Sequence, residues 1–370
     1  MSSLSCSKLA LSVLLTATFV ACGSSNPGDN GGDVDLSGED DAAVAHQPGS
    51  DGPRRTDASV TPHDMAVPPG GKDAGPPPPP DSVQVIIEPS DNGAALLKAI
   101  QGAHTSIHMT MYLLDDSRFI NALIAQSRAR LDVKVMLNQA MTTTNQTAFN
   151  QLKTGGVSVA WAPAGFSLTH EKSVLLDGTT AWVMTMNLEV SSPKNREYLA
   201  IDTAAADVQE AEALFAADFA NVPSTPTGNL LVAPVNARAR LLALIQSATT
   251  SVDLEGEELS DYMIVNALAA AQGKGIPVRA VLANTAPSMN QQMAVQQLKT
   301  AGVKLVSLGN PYVHAKALVV DGARAYVGSA NFTGGSLQYN RELSLITNNA
   351  ASVSAIARTI SLDFGNGTPL

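Results

Sequence analysis

Helix-like and strand-like segments alternate along the chain from about Asp81 to Leu370. The stretch HTSIHMTMYLL alternates polar and apolar residues as a strand does, and VHAKALVVDG is an apolar, β-branched strand pattern interrupted by two cations. Each half of this region is predicted to run helix, strand, helix, strand, helix, strand and then a hairpin. Alternation of this kind predicts an α/β fold built in layers.

The predicted elements occur twice, because the two halves of the region repeat one another in sequence. AALLKAIQGAHTSI matches ARLLALIQSATTSV, and QLKTGGVSVAWAP matches QLKTAGVKLVSLG. We place the first half at residues 83–224 and the second at 225–370, with VPSTPTG, residues 222–228, as the connector.

Polar residues cluster around the hairpin of the second half. In the first strand of this hairpin, His314 and Lys316 are predicted to share a face, which on its own is more typical of a solvated strand. The turn at Asp321 and Gly322 returns a second strand, which ends in GSAN. An imidazole, an ammonium, a hydroxyl and an amide then lie together, and such a group suits a tetrahedral anion. The residues are His314, Lys316, Gly328, Ser329 and Asn331.

The first half carries the same arrangement, beginning at His170. The spacing from this histidine to Asn187 is seventeen positions, as it is from His314 to Asn331. A later NRE tripeptide ends in Glu197 in the first half and in Glu342 in the second. We expect these carboxylates to accept a hydrogen bond from a histidine and to fix its tautomer. The remaining members in the first half are Lys172 and Asp177.

Both segments resemble the phospholipase D superfamily, whose signature is His-x-Lys-x4-Asp-x6-Gly-Ser-x-Asn. The second copy matches throughout, whereas the first has Met184 and Thr185 in place of Gly-Ser, so that Thr185 is expected to supply the hydroxyl. The resemblance covers essentially the whole chain after residue 82. It implies two α/β lobes with pseudo-twofold symmetry, with mixed sheets flanked by helices, that bring both histidines to one phosphate.

The resemblance also implies roles for these residues. One histidine attacks phosphorus and forms a phosphohistidine, while the other protonates the leaving alkoxide, without a metal or cofactor. We expect His170 to be the nucleophile and His314 the acid, although the pseudosymmetry leaves the reverse open. Asp177 and Asp321 are interpreted as structural, because a residue before Gly in a tight turn is often Asp. The expected phosphate-binding residues are Lys172, Lys316, Asn187 and Asn331, with hydroxyls from Ser329 and Thr185.

The chain begins with a segment typical of export. A twelve-residue apolar run, Leu9 to Val20, is too short to span a bilayer and indicates a signal peptide over residues 1–21. The following Cys22 resembles the lipid-modified cysteine of bacterial lipoproteins, with an ordinary secretory signal as the alternative. Residues 22–82 are rich in Pro, Gly and Asp and are predicted to be a disordered linker. We therefore expect an exported, membrane-anchored bacterial lipoprotein, on the periplasmic side or at the cell surface.

Net charge argues against one class of binding partner, and the cysteine positions exclude disulfides in the folded part. The formal net charge is −10, but residues 1–82 hold eleven acidic and four basic residues, which leaves 22 acidic and 19 basic residues for the rest. A nearly neutral folded part without a Lys/Arg cluster argues against nucleic acid as the partner. The two cysteines, Cys6 and Cys22, both precede the folded part, which excludes disulfides there.

The leading functional hypothesis is a phospholipase D-like hydrolase that cuts phospholipid phosphodiesters, with transfer to an alcohol as a further outcome, in a monomer with one two-lobed site. A cardiolipin-synthase-like transferase would use the same residues, although such enzymes usually carry transmembrane helices. An extracytoplasmic, metal-independent nuclease is a third alternative. A catalytically inactive lipid- or phosphate-binding lipoprotein is the fourth, and only Met184 and Thr185 favour it.

Two further groups contain residue types that bind metals or charged ligands. His104 and His108 are four residues apart, but they lie in a predicted strand and would not share a helical face, which argues against zinc. The acidic segment Asp253 to Asp261 follows the equivalent strand of the second half. A solvated loop is the favoured interpretation, and the alternative is that the segment lines the pocket and favours a cationic head group.

Overall fold

The computed structural model describes residues 83–370, and every structural statement below refers to this range. The predicted signal peptide, Cys22 and the linker lie outside the described residues. Within the range, no helix combines the length and apolar character needed to cross a membrane.

The first half contains a seven-stranded mixed sheet in the order β1-β7-β6-β5-β2-β3-β4. Strands β2, β3 and β4 run parallel to one another, and the other pairs are antiparallel. The strands are β1 Val83–Glu88, β2 Ser106–Met111, β3 Asp132–Leu137, β4 Ser158–Trp161, β5 Lys172–Leu176, β6 Thr180–Met184 and β7 Glu197–Asp202. The helices are α1 Ala94–Gln101, α2 Ser117–Arg128, α3 Thr142–Thr154 and α4 Ala205–Phe219, with 3₁₀ turns at Gln139–Met141 and Ser192–Lys194.

The second half repeats this plan in an eight-stranded sheet of order β15-β11-β10-β9-β12-β13-β14-β8. Here β9, β10 and β11 are the parallel strands. The strands are β8 Leu231–Ala233, β9 Val252–Gly256, β10 Val278–Ala283, β11 Lys304–Leu308, β12 Lys316–Val320, β13 Arg324–Gly328, β14 Glu342–Thr347 and β15 Thr368–Pro369. The helices are α5 Ala237–Gln246, α6 Tyr262–Gly273, α7 Met289–Thr300, α8 Gly334–Gln338 and α9 Ala350–Asn366.

Three hydrophobic clusters hold these layers together. One packs α1, α2 and α3 on the outer face of the first sheet, and a second packs α5, α6 and α7 on the second sheet. The third cluster lies between the halves and contains residues of both hairpins together with α4 and α9. It includes Val183 of β6 and Val327 of β13, both fully buried. The hairpins that carry the predicted site are therefore fixed by a core that both halves share.

Charged side chains also join the halves, in two equivalent ion pairs. Arg341, which precedes β14, donates from Nη2 to Asp218 of α4 at 2.8 Å, and both side chains are almost fully buried. Arg196, which precedes β7, forms the equivalent pair with Asp363 of α9. Each pair joins one half to the last helix of the other. Removing one partner would leave a buried charge unpaired, which is strongly destabilising.

The predicted fold class is confirmed, because two mixed sheets flanked by helices are present. The predicted element order is observed, and each half adds a strand before its first helix and a strand and helix after its hairpin. The solvated-loop interpretation of Asp253 to Asp261 is wrong. Residues 252–256 form β9, Glu255 is fully buried, and Asp261 is buried as the N-cap of α6. These carboxylates have partners inside the fold, which the acidic composition did not reveal.

Candidate active site

The two histidines of the repeated pattern each bind a glutamate of the opposite half. His170 Nδ1 lies 3.0 and 3.1 Å from the two carboxylate oxygens of Glu342. His314 Nδ1 lies 2.7 Å from Glu197 Oε1. All four side chains are buried. An ionised carboxylate only accepts hydrogen bonds, so Nδ1 carries the proton and Nε2 of the neutral imidazole is the basic nitrogen.

Backbone hydrogen bonds between the halves explain why each histidine binds the glutamate of the opposite half. The N–H of His170 donates to the carbonyl oxygen of Arg341 at 2.9 Å, which places the start of β5 beside the NRE segment of the second half. In the same way, the N–H of Arg196 donates to the carbonyl oxygen of Tyr312 at 2.7 Å. Each histidine therefore lies next to the glutamate of the other half rather than the glutamate of its own repeat.

The buried Glu342 carboxyl is held in its charged form. Burial alone would raise its pKa, but the nearby charges of His170 and Lys172, with hydrogen bonds from His170 and Ser329, outweigh burial and lower it. A carboxylate that stays ionised can stabilise a positive charge on the imidazole that it binds.

Both lysines of the repeated pattern are fully buried. Lys172 Nζ donates to the carbonyl oxygen of His170 at 2.9 Å, and Lys316 Nζ donates to the carbonyl oxygen of His314 at 2.8 Å. These bonds use one donor of each ammonium, which has three. Each half thus holds a buried ammonium beside its histidine, as binding of an anion requires.

The surroundings of the two histidines differ. The ring of Tyr112 meets His170 edge-on at a centroid distance of 4.5 Å, and Lys172 Nζ lies 4.7 Å from the centre of that ring. In the second half, Glu257 accepts from Lys316 Nζ at 2.9 Å and from the Tyr312 hydroxyl at 2.8 Å. Its Oε2 is also 3.5 Å from His314 Nε2.

Glu257 is ionised in this environment. Burial on its own would raise its pKa, but the charges of Lys316 and His314 outweigh burial and hold the pKa far below its usual range. Burial and the negative charge of Glu257 together raise the pKa of Tyr312, so that its hydroxyl stays protonated and remains a donor.

The asparagines of the pattern follow β6 and β13 by three residues in the two halves. Asn187 donates from Nδ2 to Glu189 Oε2 at 3.2 Å. The side-chain oxygens of Asn187 and Asn331 are buried and have no hydrogen-bond partner in the described structure. Orphaned buried oxygens carry a free-energy cost, and they are common where a ligand supplies the missing donor.

The hydroxyls of Thr185 and Ser329 do not lie where the resemblance placed them, which was beside the phosphate. Thr185 donates to Glu197 Oε2 and accepts from the N–H of Tyr198 at 2.8 Å. Ser329 accepts from the N–H of Leu343 at 3.1 Å and is fully buried. Both hydroxyls therefore support the start of β7 or β14 behind the histidines. The expectation that they donate to a phosphate is corrected by this position, since their hydrogen bonds are already made.

The two aspartates of the pattern lie in the hairpin turns, away from the histidines. Asp177 has φ +56° and Asp321 has φ +57°, in the left-handed region. The carboxylate of Asp177 accepts the backbone N–H groups of residues 104–106, and that of Asp321 accepts those of residues 249–251. Gly328 is required for packing, because an added Cβ would collide with Ser344.

Sequence reasoning missed Tyr112 and Tyr312 as members of this site, and it included Glu257 only within an acidic segment whose role as pocket lining was the less favoured alternative. The sequence signal was the repeat itself, since Tyr112 follows β2 by one residue and Glu257 follows β9 by one residue. His108, for which the sequence argued against a zinc site, binds Glu212 of α4 at 2.6 Å and Asp132 at 3.3 Å, on the face of the first sheet that α4 covers.

The chain matches a known family in both halves. The family model described as "Cardiolipin synthase, PLD-like domain" matches residues 96–219 and 241–363. "Probable cardiolipin synthase YwiE" of Bacillus subtilis (strain 168) is 22% identical over 336 residues, which cover 76% of this chain and 65% of the relative. The chain therefore spans just under two thirds of the length of this relative.

Two solved structures share the fold. Phosphatidylserine synthase of Haemophilus influenzae Rd KW20 superposes with a TM-score of 0.62 at 11% identity, covering 78% of this chain and 87% of that one. Polyphosphate kinase of Porphyromonas gingivalis superposes with a TM-score of 0.61 at 17% identity, covering 76% of this chain and 46% of that one. At these identities the likeness is one of fold.

Proposed function

Because the chain belongs to the phospholipase D superfamily, we propose that it is a phosphatidyltransferase of the cardiolipin-synthase type, with a single site made by both halves. The observation that carries the proposal is the crossed pairing of His170 with Glu342 and of His314 with Glu197. Each histidine depends on the other half for the carboxylate that sets its tautomer. Two separate sites would instead pair each histidine with the glutamate of its own repeat.

The proposed reaction proceeds in two steps. In the first, His170 Nε2 attacks phosphorus, the bond from phosphorus to the leaving alcohol breaks, and His314 gives its Nε2 proton to the leaving oxygen. In the second, His314 takes a proton from the acceptor alcohol, whose oxygen attacks phosphorus and breaks the P–N bond. His170 is then regenerated and His314 again holds a proton.

The ammonium and amide groups stabilise the charge that develops on the phosphoryl oxygens. Lys172 and Lys316 each give one of three ammonium donors to a histidine carbonyl, and Lys316 gives a second to Glu257. Fixed donors of this kind are worth more in a dry site than in water. The histidine side chains are 4% and 10% exposed, which supports an intermediate shielded from bulk water.

The comparisons favour transfer over the hydrolase that sequence reasoning placed first, because the family model and the curated relative both carry the name cardiolipin synthase. Hydrolysis is the second candidate, since water can replace the acceptor alcohol with the same residues. The inactive-binding alternative loses its main support, because Thr185 holds Glu197 in place and thereby performs a task in the site.

The test is a product analysis with the full chain and vesicles of phosphatidylglycerol. Formation of cardiolipin with release of glycerol is expected, and His170→Asn and His314→Asn should each abolish it. Phosphatidic acid as the sole product would establish the hydrolase instead. If no lipid product forms and the protein nicks plasmid in EDTA, a nuclease activity would replace both the transferase and the hydrolase proposals.

A further inference from the structure

The two half-sites differ at one equivalent position, which is neutral in the first half and charged in the second. Tyr112 and Glu257 each follow by one residue the strand that pairs with the histidine hairpin, β2 in the first half and β9 in the second. The tyrosine ring meets His170 edge-on, whereas the carboxylate contacts both Lys316 and His314. The repeat therefore does not produce two equal anion sites.

Glu257 already occupies the position that an anion would take in the second half. Its Oε2 is 2.9 Å from Lys316 Nζ and 3.5 Å from His314 Nε2, and these are the groups expected to meet a phosphoryl oxygen. A phosphate that binds there must displace this carboxylate or share the lysine with it, against like-charge repulsion. A further carboxylate, Glu189, accepts a hydrogen bond from the amide of Asn187 in the first half.

Displacement by a phosphate leaves one oxygen of the Glu257 carboxylate without a hydrogen-bond donor. The Tyr312 hydroxyl donates to Oε1 at 2.8 Å and can remain there, but Oε2 loses its donor when Lys316 turns to the phosphate. Leaving an ionised oxygen without a donor in this largely buried position is costly. A substrate group that carries its own N–H or O–H beside the phosphoester would remove that cost.

We propose that Glu257 is a specificity residue, which excludes simple phosphate esters from the second half-site and admits esters whose alcohol carries an ammonium or hydroxyl donor. Ethanolamine and glycerol esters have such a donor on the carbon next to the ester-bearing carbon. The inference rests on the proposed function only in taking a phosphate ester of an alcohol as the ligand.

Calorimetric binding to the full chain tests this with two phosphate monoesters, methyl phosphate and phosphoethanolamine. The wild type should bind phosphoethanolamine about tenfold more tightly than methyl phosphate, a difference of about 1.4 kcal/mol. Glu257→Gln should bind methyl phosphate about tenfold more tightly than the wild type does, which removes the preference. Glu258→Gln, a change at the adjacent carboxylate, should keep the wild-type preference.

Several results would overturn the proposal. An undiminished preference in Glu257→Gln, or weaker binding of methyl phosphate by that variant, would show that Glu257 supports the anion site rather than occupying it. If Glu257→Gln does not fold, Glu257→Tyr places the residue of the first half there and should lose the preference in the same way. Failure of the wild type to bind either ester would exclude the ligand class. Because the binding experiment involves no turnover, the role of Glu257 can be judged from it even if the transfer assay fails.

Discussion

Glu342 of the second half binds Nδ1 of His170 in the first half through both carboxylate oxygens, at 3.0 and 3.1 Å. The contact joins residues 172 positions apart in sequence, and its counterpart between Glu197 and His314 joins residues 117 positions apart. A change in the NRE segment of one half should therefore act on the histidine of the other half.

The first prediction concerns these two carboxylates. Glu342→Gln and Glu197→Gln should each lower kcat about 10- to 100-fold with little change in KM, because the amide carries no charge to stabilise the imidazolium. Steady-state kinetics of lipid turnover measure this. Glu210→Gln is the matched control, since Glu210 binds the backbone N–H groups of Gly228 and Leu230 in the connector region. A wild-type kcat in both site variants would contradict the crossed assignment.

The second prediction concerns pH and Glu171. Burial is the main cause that raises the pKa of this carboxyl from 4.5 to about 7, although Ser173 donates to it at 2.6 Å. Between these two pH values the folded protein holds a proton that the unfolded chain has lost, so this group lowers stability as pH rises from 4.5 to 7. Above pH 7 the loss is complete.

Glu171→Gln should remove this pH dependence. We expect the variant to be more stable than the wild type at pH 8, by on the order of 1–3 kcal/mol, and the difference to shrink toward pH 4.5. Urea unfolding at both pH values measures it. The equivalent position in the second half is Ala315, so Ala315→Val provides a control for repacking alone. Equal pH dependence in wild type and Glu171→Gln would show that the carboxyl does not titrate in this window.

The third prediction separates the turn aspartates from the chemistry. Asp321→Ala should lower the free energy of unfolding by about 2–4 kcal/mol, because it removes charged acceptors for three backbone N–H groups and places alanine at a positive φ. Asp321→Asn should be milder, since asparagine tolerates that φ and keeps one acceptor oxygen. Thermal unfolding with kinetics on the folded fraction measures both, and a stable Asp321→Ala with lost kcat would show a direct chemical role.

The turn aspartates also predict acid sensitivity. Burial alone would raise the pKa of Asp321, but the N–H groups of residues 249–251 outweigh it and lower the pKa. The carboxylate therefore stabilises the fold above its ordinary pKa of 3.8, and this stabilisation is lost as pH falls further. The Asn variant should show a smaller loss of stability on acidification than the wild type.

The fourth prediction concerns Cys22, which lies outside the described residues. The proposal of a lipid-anchored protein predicts that Cys22→Ser releases the chain from the membrane, because the acyl chains provide the anchor. Fractionation of cells followed by immunoblotting measures the distribution. A wild-type chain that is already fully soluble after export would contradict lipidation.

Local parts of the site were predictable from the sequence. Each His-x-Lys strand, its Asp-Gly turn and the returning strand lie within about twenty residues, where strand alternation and turn chemistry determine which side chains meet. The duplication was equally visible, because spacing from histidine to asparagine is the same in both copies.

Contacts between the halves were not predictable in this way. That His170 meets Glu342 rather than Glu197 depends on how two sheets pack, and no local pattern encodes this. Glu257 could be seen only as part of an acidic segment, for which a solvated loop was favoured over a lining of the pocket. Its contact with Lys316 shows that the less favoured interpretation applies to this residue.

The two buried arginine–aspartate pairs have an evolutionary consequence. A single-repeat ancestor could make the same reciprocal contacts between two identical subunits, since a twofold interface uses one patch twice. Fusion of the copies freed each to change alone, and the divergence of Tyr112 from Glu257 records that freedom. A gene cut back to either copy would encode a chain whose arginine and aspartate stay unpaired unless two such chains associate.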